Sequence, residues 1–322
     1  MSSPEKKRKK KAAKKPTPNV YIPDDLLLTC IAPRVSRFCY PTLSLVSKSL
    51  RSLVASPEIY NTRSHIDRTE SCLYVCLSLP PNPNPSWFAL CPRPNRNLTK
   101  KNKQSSKILV PISSPHLTPV RASFVVLGSD IYEIGGLING VPSTRVSIFD
   151  CRSHSWHQAP DLQVAREYPY ATATDGKIYV SRGLDSCNSS YQVEVFDPKT
   201  KTWTYESREW SGWKSSMSEY YGSASRLCCS CVIGNVAYLY HEGEFKWSTC
   251  SNVQLADYGG KMAVLWDRHD RSSNFKGRTV WCAKIALEKR TSEEIWGMVE
   301  WCEPVLKVPG SVSLVDALAA CV

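Results

Sequence analysis

The sequence predicts a small set of α-helices followed by an all-β propeller of five or six four-stranded blades. Three observations lead to this prediction. An apolar stripe at helical spacing occupies residues 20–62, and short β-rich runs separated by turn residues begin near residue 70. Within the β-rich part, two consecutive segments repeat one another 47 residues apart, as the blades of a propeller do.

The helical prediction for residues 20–62 depends on two signals. Pro23 followed by two aspartates suits a first helical turn, because the proline fixes φ and the negative charges favour the positive end of the helix dipole. A second helix is predicted from Pro41 to Ala55, with Pro57 closing it. Its apolar residues form one stripe at period 3.6: Leu43, Val46, Leu50, Leu53 and Val54. So short a helical set buries little surface alone, and we expect it to dock on the next domain or on a partner.

The β-rich part contains an ungapped internal repeat. A shift of 47 residues aligns eight identities, all at apolar, glycine or turn positions: Ile131 with Ile178, Tyr132 with Tyr179, Gly136 with Gly183, Leu137 with Leu184, Val146 with Val193, Phe149 with Phe196, Asp150 with Asp197, and Trp156 with Trp203. The first copy predicts strands at 123–127, 131–135, 145–149 and 155–158, joined by turns short enough for antiparallel hairpins. We expect the last segment of the chain to add a strand to the N-terminal blade and close the ring.

Two residue types in the repeat are predicted to have structural roles. Gly135, Gly136 and Gly183 provide a tight exit from the second strand, where a Cβ atom would clash. Trp156 and Trp203 lie on the outer strand and are large enough to fill the gap between adjacent blades.

The first 19 residues form a predicted disordered basic tail. Eight lysine and arginine residues between positions 6 and 15, offset by Glu5, contribute +7 of the formal net charge of +12. Such a run stays solvated and is either a tail without an address or a nuclear-import signal. We predict an import signal at Lys6, Lys7, Arg8, Lys9, Lys10 and Lys11. The basic residues of the folded part are scattered, so nucleic-acid binding is not expected.

The sequence also predicts where the protein resides and which chemistry it lacks. No run approaches the ~20 apolar residues of a membrane helix, and the N-terminus lacks the apolar core of a secretory signal, so an intracellular protein in the nucleus, the cytoplasm or both is expected. The 14 cysteines are interpreted as small buried hydrophobes. Cys228, Cys229 and Cys231 cluster, but four convergent zinc ligands are missing, so we predict no metal and no cofactor.

The repeat and the helical segment each resemble a known module. IYEIGG, VSIFD and SWHQAPDL resemble a kelch repeat, although the second copy has Arg182-Gly183 in place of the double glycine. Residues 21–60 are similar to the F-box, particularly at Pro23-Asp24-Asp25-Leu26-Leu27 and from Leu43 to Lys48. Together they resemble the plant F-box/kelch-repeat family over nearly the whole chain after residue 20. The resulting domains are a tail at 1–19, an F-box at 20–62 and a kelch β-propeller at 70–322.

The resemblance implies the function. It implies the substrate-recognition subunit of a Skp–cullin–F-box type E3 ubiquitin ligase, whose F-box docks a Skp-family adaptor and through it a cullin–RING ligase, while the propeller binds a target protein. The adaptor-binding residues it implies are Pro23, Asp24, Leu26, Leu27, Leu43, Leu45, Val46, Ser47, Lys48 and Leu50. The apolar stripe could instead pack the helices onto the propeller. The alternative for the whole protein is a kelch-type interaction scaffold that is not engaged with a cullin.

The target-binding surface is predicted from aromatic residues and strand parity. Trp210, Trp213, Tyr220 and Tyr221 lie after the second copy without a counterpart in the repeat, and they form either a protein-binding surface or an irregular strand of the next blade. Because adjacent strands are antiparallel, loops 137–144, 184–192 and 205–222 share one face, which we predict to bind the target. No phosphate loop or nucleophile motif occurs, so the protein is predicted to be non-catalytic.

Overall fold

A computed structural model describes residues 23–93, 105–181, 193–206, 230–233, 236–239, 253–269, 277–291 and 294–322. In these ranges four short α-helices come first, and β-strands with their connections follow. None of the helices in these ranges is long and apolar enough to cross a membrane. The helices are α1 (Asp24–Ile31), α2 (Tyr40–Leu43), α3 (Lys48–Ala55) and α4 (Pro57–His65), with a 3₁₀ turn (Arg37–Cys39) before α2.

The helix predicted from Pro41 to Ala55 is wrong as a single element. Its first part ends at Leu43 and its second begins at Lys48. Ser47 interrupts it, because its backbone is extended and its hydroxyl accepts a hydrogen bond of 3.1 Å from the N–H of Leu50, which is an N-cap. The helix does end before Pro57, as predicted, since α3 ends at Ala55. Pro57 is the first residue of α4, where its fixed φ and its missing N–H cause no loss.

Twenty strands follow, and most of them form four-stranded antiparallel sheets that we call blades. The first blade has the order β20-β1-β2-β3, the second β4-β5-β8-β9, the third β10-β11-β12-β13 and the last β16-β17-β18-β19. Hairpins β6-β7 and β14-β15 complete the described strands. The strand bounds are β1 Ser71–Ser78, β2 Ser86–Pro92, β3 Lys107–Pro111, β4 Ser123–Leu127, β5 Asp130–Ile134, β6 Leu137–Ile138, β7 Val141–Pro142, β8 Val146–Asp150, β9 Ser155–Gln158, β10 Tyr170–Thr174, β11 Lys177–Ser181, β12 Val193–Asp197, β13 Thr202–Glu206, β14 Ser230–Ile233, β15 Val236–Leu239, β16 Val253–Asp257, β17 Met262–His269, β18 Gly277–Lys289, β19 Ile295–Pro309 and β20 Ser313–Cys321.

The strands predicted for the first repeat copy are confirmed to within one residue, as the second blade shows. The expected closure of the ring is confirmed as well. Strand β20 pairs antiparallel with β1, from Ser71 opposite Cys321 to Ser78 opposite Ser313. Glu70 and Val322 extend this pairing by exchanging two backbone hydrogen bonds of 2.7 and 3.0 Å. The C-terminal strand therefore occupies the inner position of a blade whose other strands come from the N-terminal side of the propeller.

The hydrophobic core lies between adjacent blades. One apolar cluster fills the space between the first and last blades, a second lies between the first and second, and a third lies between the second and third. Strand β1 contributes to two of them, because alternate residues point to opposite sides of a sheet: Leu73, Val75 and Leu77 face the last blade, and Cys72, Tyr74 and Cys76 face the second. Repeated antiparallel sheets packed face to face in this way fit a kelch β-propeller.

Candidate functional site

The helical set, residues 24–65, has its own small core. Six side chains are buried in it: Ile31, Ala32, Tyr40, Leu53, Val54 and Ile59. Three of the residues expected to bind the adaptor, Leu27, Leu43 and Leu50, are half-buried and pack against this core. Part of the apolar stripe that the sequence shows therefore holds the helices to one another.

Three other apolar residues of the helical set remain in water. Leu26, Leu45 and Val46 are 57%, 78% and 68% exposed, and we call them the helical patch. The hydroxyl of Ser49 donates a hydrogen bond of 2.7 Å to Asp24, which brings the start of α1 beside α3, the helix that directly follows Leu45 and Val46. Large exposed side chains on a small domain are typical of a protein-binding surface.

The other predicted adaptor residues have different environments. Pro23, Asp24 and Lys48 are exposed and remain accessible to a partner. Ser47 is also exposed, but its hydroxyl accepts the N-cap hydrogen bond of α3. Its first role is thus to hold the loop that presents Leu45 and Val46.

The helical set is fixed to the propeller by polar and aromatic contacts. Glu70, which precedes β1, accepts hydrogen bonds from the hydroxyl of Ser36 at 2.8 Å and from the N–H of Arg37 at 3.1 Å, and it pairs with the buried guanidinium of Arg63. Tyr60 of α4 donates a hydrogen bond of 3.0 Å to the carbonyl oxygen of Arg152 in the second blade. The rings of Phe38 and Tyr60 also pack against the cluster between the first and second blades.

Two turns of the second blade show which face carries the helices. The N–H of Cys151, in the turn between β8 and β9, donates a hydrogen bond of 3.0 Å to the carbonyl oxygen of Ser129, in the turn between β4 and β5. The two turns therefore share one face, as strand parity predicts. Arg152, whose carbonyl oxygen accepts the hydrogen bond from Tyr60, lies in the turn between β8 and β9. The helical set therefore docks on the face that carries these two turns, which we call the turn face.

The opposite face, the loop face, is built from the longer connections. The N–H of Leu137 donates to the carbonyl oxygen of Val120 at 2.7 Å, and Ser143 forms a bridge with Arg166. These bonds bring segments 113–122, 137–144 and 159–169 together. Four of their apolar residues are more than 40% exposed and form what we call the loop-face patch: Leu117, Val141, Val164 and Tyr168.

A charged residue borders the loop-face patch, and an ion pair anchors it. The guanidinium of Arg121 lies 4.6 Å from the ring centroid of Tyr168 and pairs with Glu167. Below the surface, the buried carboxylate of Glu194 accepts hydrogen bonds from Arg166 at 2.9 Å and from the N–H of Gln163 at 2.6 Å. The Glu194–Arg166 ion pair fixes the connection between the second and third blades, which carries part of the loop-face patch.

Sequence reasoning placed loop 137–144 and the connection after the first repeat copy on this face, but it did not count segments 113–122 and 159–169 in the target-binding surface. Leu117, Val164 and Tyr168 lie in connections between blades, outside the two repeat copies. Strand parity was the signal that could have found them, because each connection to the next blade emerges on the same face as the second-to-third loop.

The repeat glycines and tryptophans lie in the blade structure. Gly135 and Gly136 have φ of +60° and +85°, and a Cβ atom at Gly136 would lie 2.7 Å from the backbone nitrogen of Ala122. Trp156 packs on Phe149 with ring centroids 5.0 Å apart, beside the cluster between the first and second blades. Trp203, in the next cluster, donates a hydrogen bond of 2.8 Å from its ring nitrogen to the carbonyl oxygen of Pro160.

The cysteines are divided between the core and the surface. Cys72, Cys76, Cys151 and Cys282 are buried, and burial raises the pKa of each thiol. These four fit the interpretation as small hydrophobes, whereas Cys30, Cys39, Cys302 and Cys321 are exposed and contradict it. Within the described ranges no three His, Cys, Asp or Glu side chains are grouped as a metal ion would require.

Several predicted residues lie outside the described ranges. They are the tail residues Lys6, Lys7, Arg8, Lys9, Lys10 and Lys11, the repeat glycine Gly183, the cysteines Cys228 and Cys229, and the aromatic residues Trp210, Trp213, Tyr220 and Tyr221. Loop 184–192 also falls there, and so does segment 205–222 except for its first two residues. The predictions for these residues stay predictions.

Comparisons with known proteins agree with the two modules. The FKB95, Kelch-repeats domain matches residues 87–225. The F-box/kelch-repeat protein At4g39550 of Arabidopsis thaliana is 43% identical, with 99% of each chain covered. The F-box/kelch-repeat protein At5g49000 of the same plant is 45% identical, over 99% of this chain and all of its own. A solved structure titled "Structure of YjhT" aligns with 68% of this chain and 59% of its own at a TM-score of 0.29 and 12% identity, which adds nothing to the fold assignment.

Proposed function

The chain belongs to the F-box/kelch-repeat family of plants, and from this premise we propose that it is the substrate-recognition subunit of a Skp–cullin–F-box type ubiquitin ligase. A general role as a substrate adaptor follows from the family. The observation that carries the finer proposal is the helical patch, because Leu26, Leu45 and Val46 remain in water although the helical set has a core that could have buried them.

A Skp-family adaptor is the partner proposed for the helical patch. Burying a leucine or valine side chain contributes roughly 1.5–3 kcal/mol, so three such side chains can anchor an interface. Pro23, Asp24 and Lys48 are exposed as well and would form a polar rim. In this proposal Leu27, Leu43 and Leu50 support the interface from inside the helical set.

The target protein is proposed to bind the loop face. The helical set docks on the turn face, so the loop face stays accessible when the adaptor is bound. Its described part presents the loop-face patch, and segments 184–192 and 205–222, with Trp210, Trp213, Tyr220 and Tyr221, are proposed to extend it. The protein would act by proximity: it holds the target near a conjugating enzyme and supplies no reacting side chain itself.

Five is the blade number we propose. The described inner strands contact one another in ring order, β20 with β4, β4 with β10, β14 with β16, and β16 with β20. Hairpin β14-β15 would then belong to a blade between the third and the last. An experimental structure with six inner strands around the axis would contradict this number.

The basic tail is proposed to be a nuclear-import signal, with Lys6, Lys7, Arg8, Lys9, Lys10 and Lys11 as its core. The protein would then divide between nucleus and cytoplasm. Deletion of residues 1–15 should shift a fluorescent fusion toward the cytoplasm without changing its thermal stability. An unchanged distribution of the fusion between nucleus and cytoplasm would show that the tail is not an import signal.

The experiment that tests the ligase proposal is purification of the tagged full-length chain from plant cells, followed by immunodetection of a Skp-family adaptor and of a cullin. Both should be recovered. Recovery of target proteins without either would support the alternative, an interaction scaffold that is not engaged with a cullin.

A further inference from the structure

The last blade carries a hairpin that continues beyond its own sheet. Strands β18 and β19 pair as far as Lys289 opposite Ile295, whereas β17 accompanies β18 only to the pair Met262 and Ile285. Residues 286–289 and 295–298 therefore form a two-stranded ribbon. At about 3.4 Å per residue it extends roughly 13 Å past the neighbouring strand.

The outer strand of this ribbon is apolar and exposed. Ile295, Trp296, Met298 and Val299 are 37% to 69% exposed, and no charged residue occurs between positions 295 and 299. Among the described residues, the guanidinium of Arg290 lies over Trp296, 4.0 Å from the ring centroid, and the ring nitrogen of Trp296 donates a hydrogen bond of 2.6 Å to Glu294. Two strands alone are marginally stable in water, so a ribbon with apolar residues on both faces gains stability from a covering partner.

The backbone of the ribbon offers a place for that partner. Strand β19 is the outermost of its blade, and among the described strands it pairs only with β18. Its later part adjoins the first blade, where Glu303 accepts hydrogen bonds from Ser105 and Ser106. The described residues of the first blade form no such hydrogen bond with the part from Ile295 to Glu300. An open, apolar edge strand is a template for another strand.

We propose that this edge pairs antiparallel with the same edge of a second copy of the chain. A pairing centred on Met298 places Gly297 opposite Val299 and Trp296 opposite Glu300. Glu300, which pairs with Lys261 in its own chain, thus faces an aromatic side chain, and no like charges lie opposite each other. Residues 295–299 carry no charge, and the twofold pairing sets Glu300 opposite Trp296, so a second copy meets this edge without like-charge repulsion and uses the same edge on both chains.

The ribbon lies on the face opposite the proposed target-binding surface. By strand parity the β18–β19 connection lies on the same face as the β16–β17 turn. In that turn Gly259 adjoins Ser71, the first residue of β1, close to the helical set. The ribbon thus projects from the turn face, and a dimer formed there leaves the loop face free. The proposal does not depend on the ligase function.

The proposal is tested by replacing Met298 with charged residues, because in the pairing Met298 of one chain lies opposite Met298 of the other. The full-length wild-type protein should dimerise reversibly in analytical ultracentrifugation at concentrations up to about 100 µM, since so small an interface is weak. Met298→Lys and Met298→Glu should each be monomeric, because each places two like charges opposite one another. An equimolar mixture of the two should recover the dimer. Val110→Lys, a matched change on the outer strand of the first blade, should dimerise like the wild type.

Three results would overturn the proposal. A wild-type chain that stays monomeric at the highest concentration excludes self-pairing and leaves the edge to a strand of another protein. A dimer that both single variants retain lies elsewhere on the molecule. Monomeric variants whose mixture stays monomeric would show that Met298 does not face itself. Unchanged circular dichroism of the variants serves as the folding control, and their position on the surface makes this the expected result.

Discussion

Nη2 of Arg37 donates a hydrogen bond of 3.0 Å to the carbonyl oxygen of Arg152. This bond joins the 3₁₀ turn of the helical set to the turn between β8 and β9 of the second blade, and Tyr60 donates to the same oxygen. Nη1 of Arg37 also lies 3.5 Å from the hydroxyl of Tyr74, in the interface between two blades. The helical set is therefore held at a fixed angle to the blades. In the proposed function this angle determines where a bound target stands relative to the adaptor.

Replacement of Arg37 should loosen this attachment. Arg37→Met removes charged hydrogen bonds in a partly buried site, which costs about 1.5–3 kcal/mol. Amide hydrogen exchange of residues 24–65 should become faster, while the strands of the second and third blades keep their protection. Arg34→Met is the control, because Arg34 is exposed and contacts only nearby carbonyl oxygens at 3.4 and 3.5 Å. Unchanged exchange in Arg37→Met would show that other contacts hold the helical set.

A methyl group at Gly136 should destabilise the second blade. Its φ of +85° is strained for an alanine, and the new Cβ would meet backbone atoms of Ala122 and Val120 at 2.7 and 2.8 Å. We expect Gly136→Ala to lower the free energy of unfolding by about 2–4 kcal/mol in urea titrations. Gly140→Ala is the control for backbone strain without a steric clash, because φ at Gly140 is +80° but no atom lies within 4 Å of the added carbon. Gly140→Ala should lower the free energy of unfolding by about 1 kcal/mol. Equal losses in the two variants would contradict a steric clash at Gly136.

Stability should depend on pH through Asp316 on the inner strand β20. Burial raises the pKa of this carboxyl to about 7, whereas an unfolded aspartate titrates near pH 4. Between these values the folded state binds more protons than the unfolded state, so the contribution of Asp316 to stability falls as the pH rises from about 4 to 7. Asp316→Asn should therefore gain stability relative to the wild type between pH 5 and pH 8 in urea titrations. A difference between the two proteins that does not change with pH would contradict the prediction.

Changes in the loop-face patch should abolish target capture alone. Leu117→Ser with Val141→Ser removes two exposed apolar side chains, and Trp210→Ala with Trp213→Ala tests the aromatic segment that the sequence predicts to join them. Proteins captured from plant extract should be lost from both double variants in quantitative mass spectrometry, while the adaptor is still recovered. Val110→Ser, an exposed valine on an outer strand, should capture as the wild type does. Unfolding of the Trp210 and Trp213 variant would show that these tryptophans belong to the core.

The sequence predicted what depends on local periodicity. The strands of the second blade and the closing strand follow from alternation and from the repeat, and the structure has them. The break between α2 and α3 was missed because a single hydroxyl, that of Ser47, decides it within an otherwise continuous apolar stripe. The division of the stripe was also beyond periodicity, since the predicted stripe includes both Val46 and Leu50, although Val46 lies exposed in the loop before α3 and only Leu50 packs on the core. That division depends on how the helices pack.

The most direct test of the central claim is the affinity of the purified chain for a Skp-family adaptor, measured by isothermal titration calorimetry. Leu45→Asp with Val46→Asp should bind at least about 100-fold more weakly, because an unpaired charge in an apolar contact costs several kcal/mol. Both side chains are exposed in the free protein, so the melting temperature should not change. Leu117→Asp with Val141→Asp, the same change on the loop face, should leave the affinity as it is. Wild-type affinity in the Leu45 and Val46 variant would contradict the claim that the helical patch binds the adaptor.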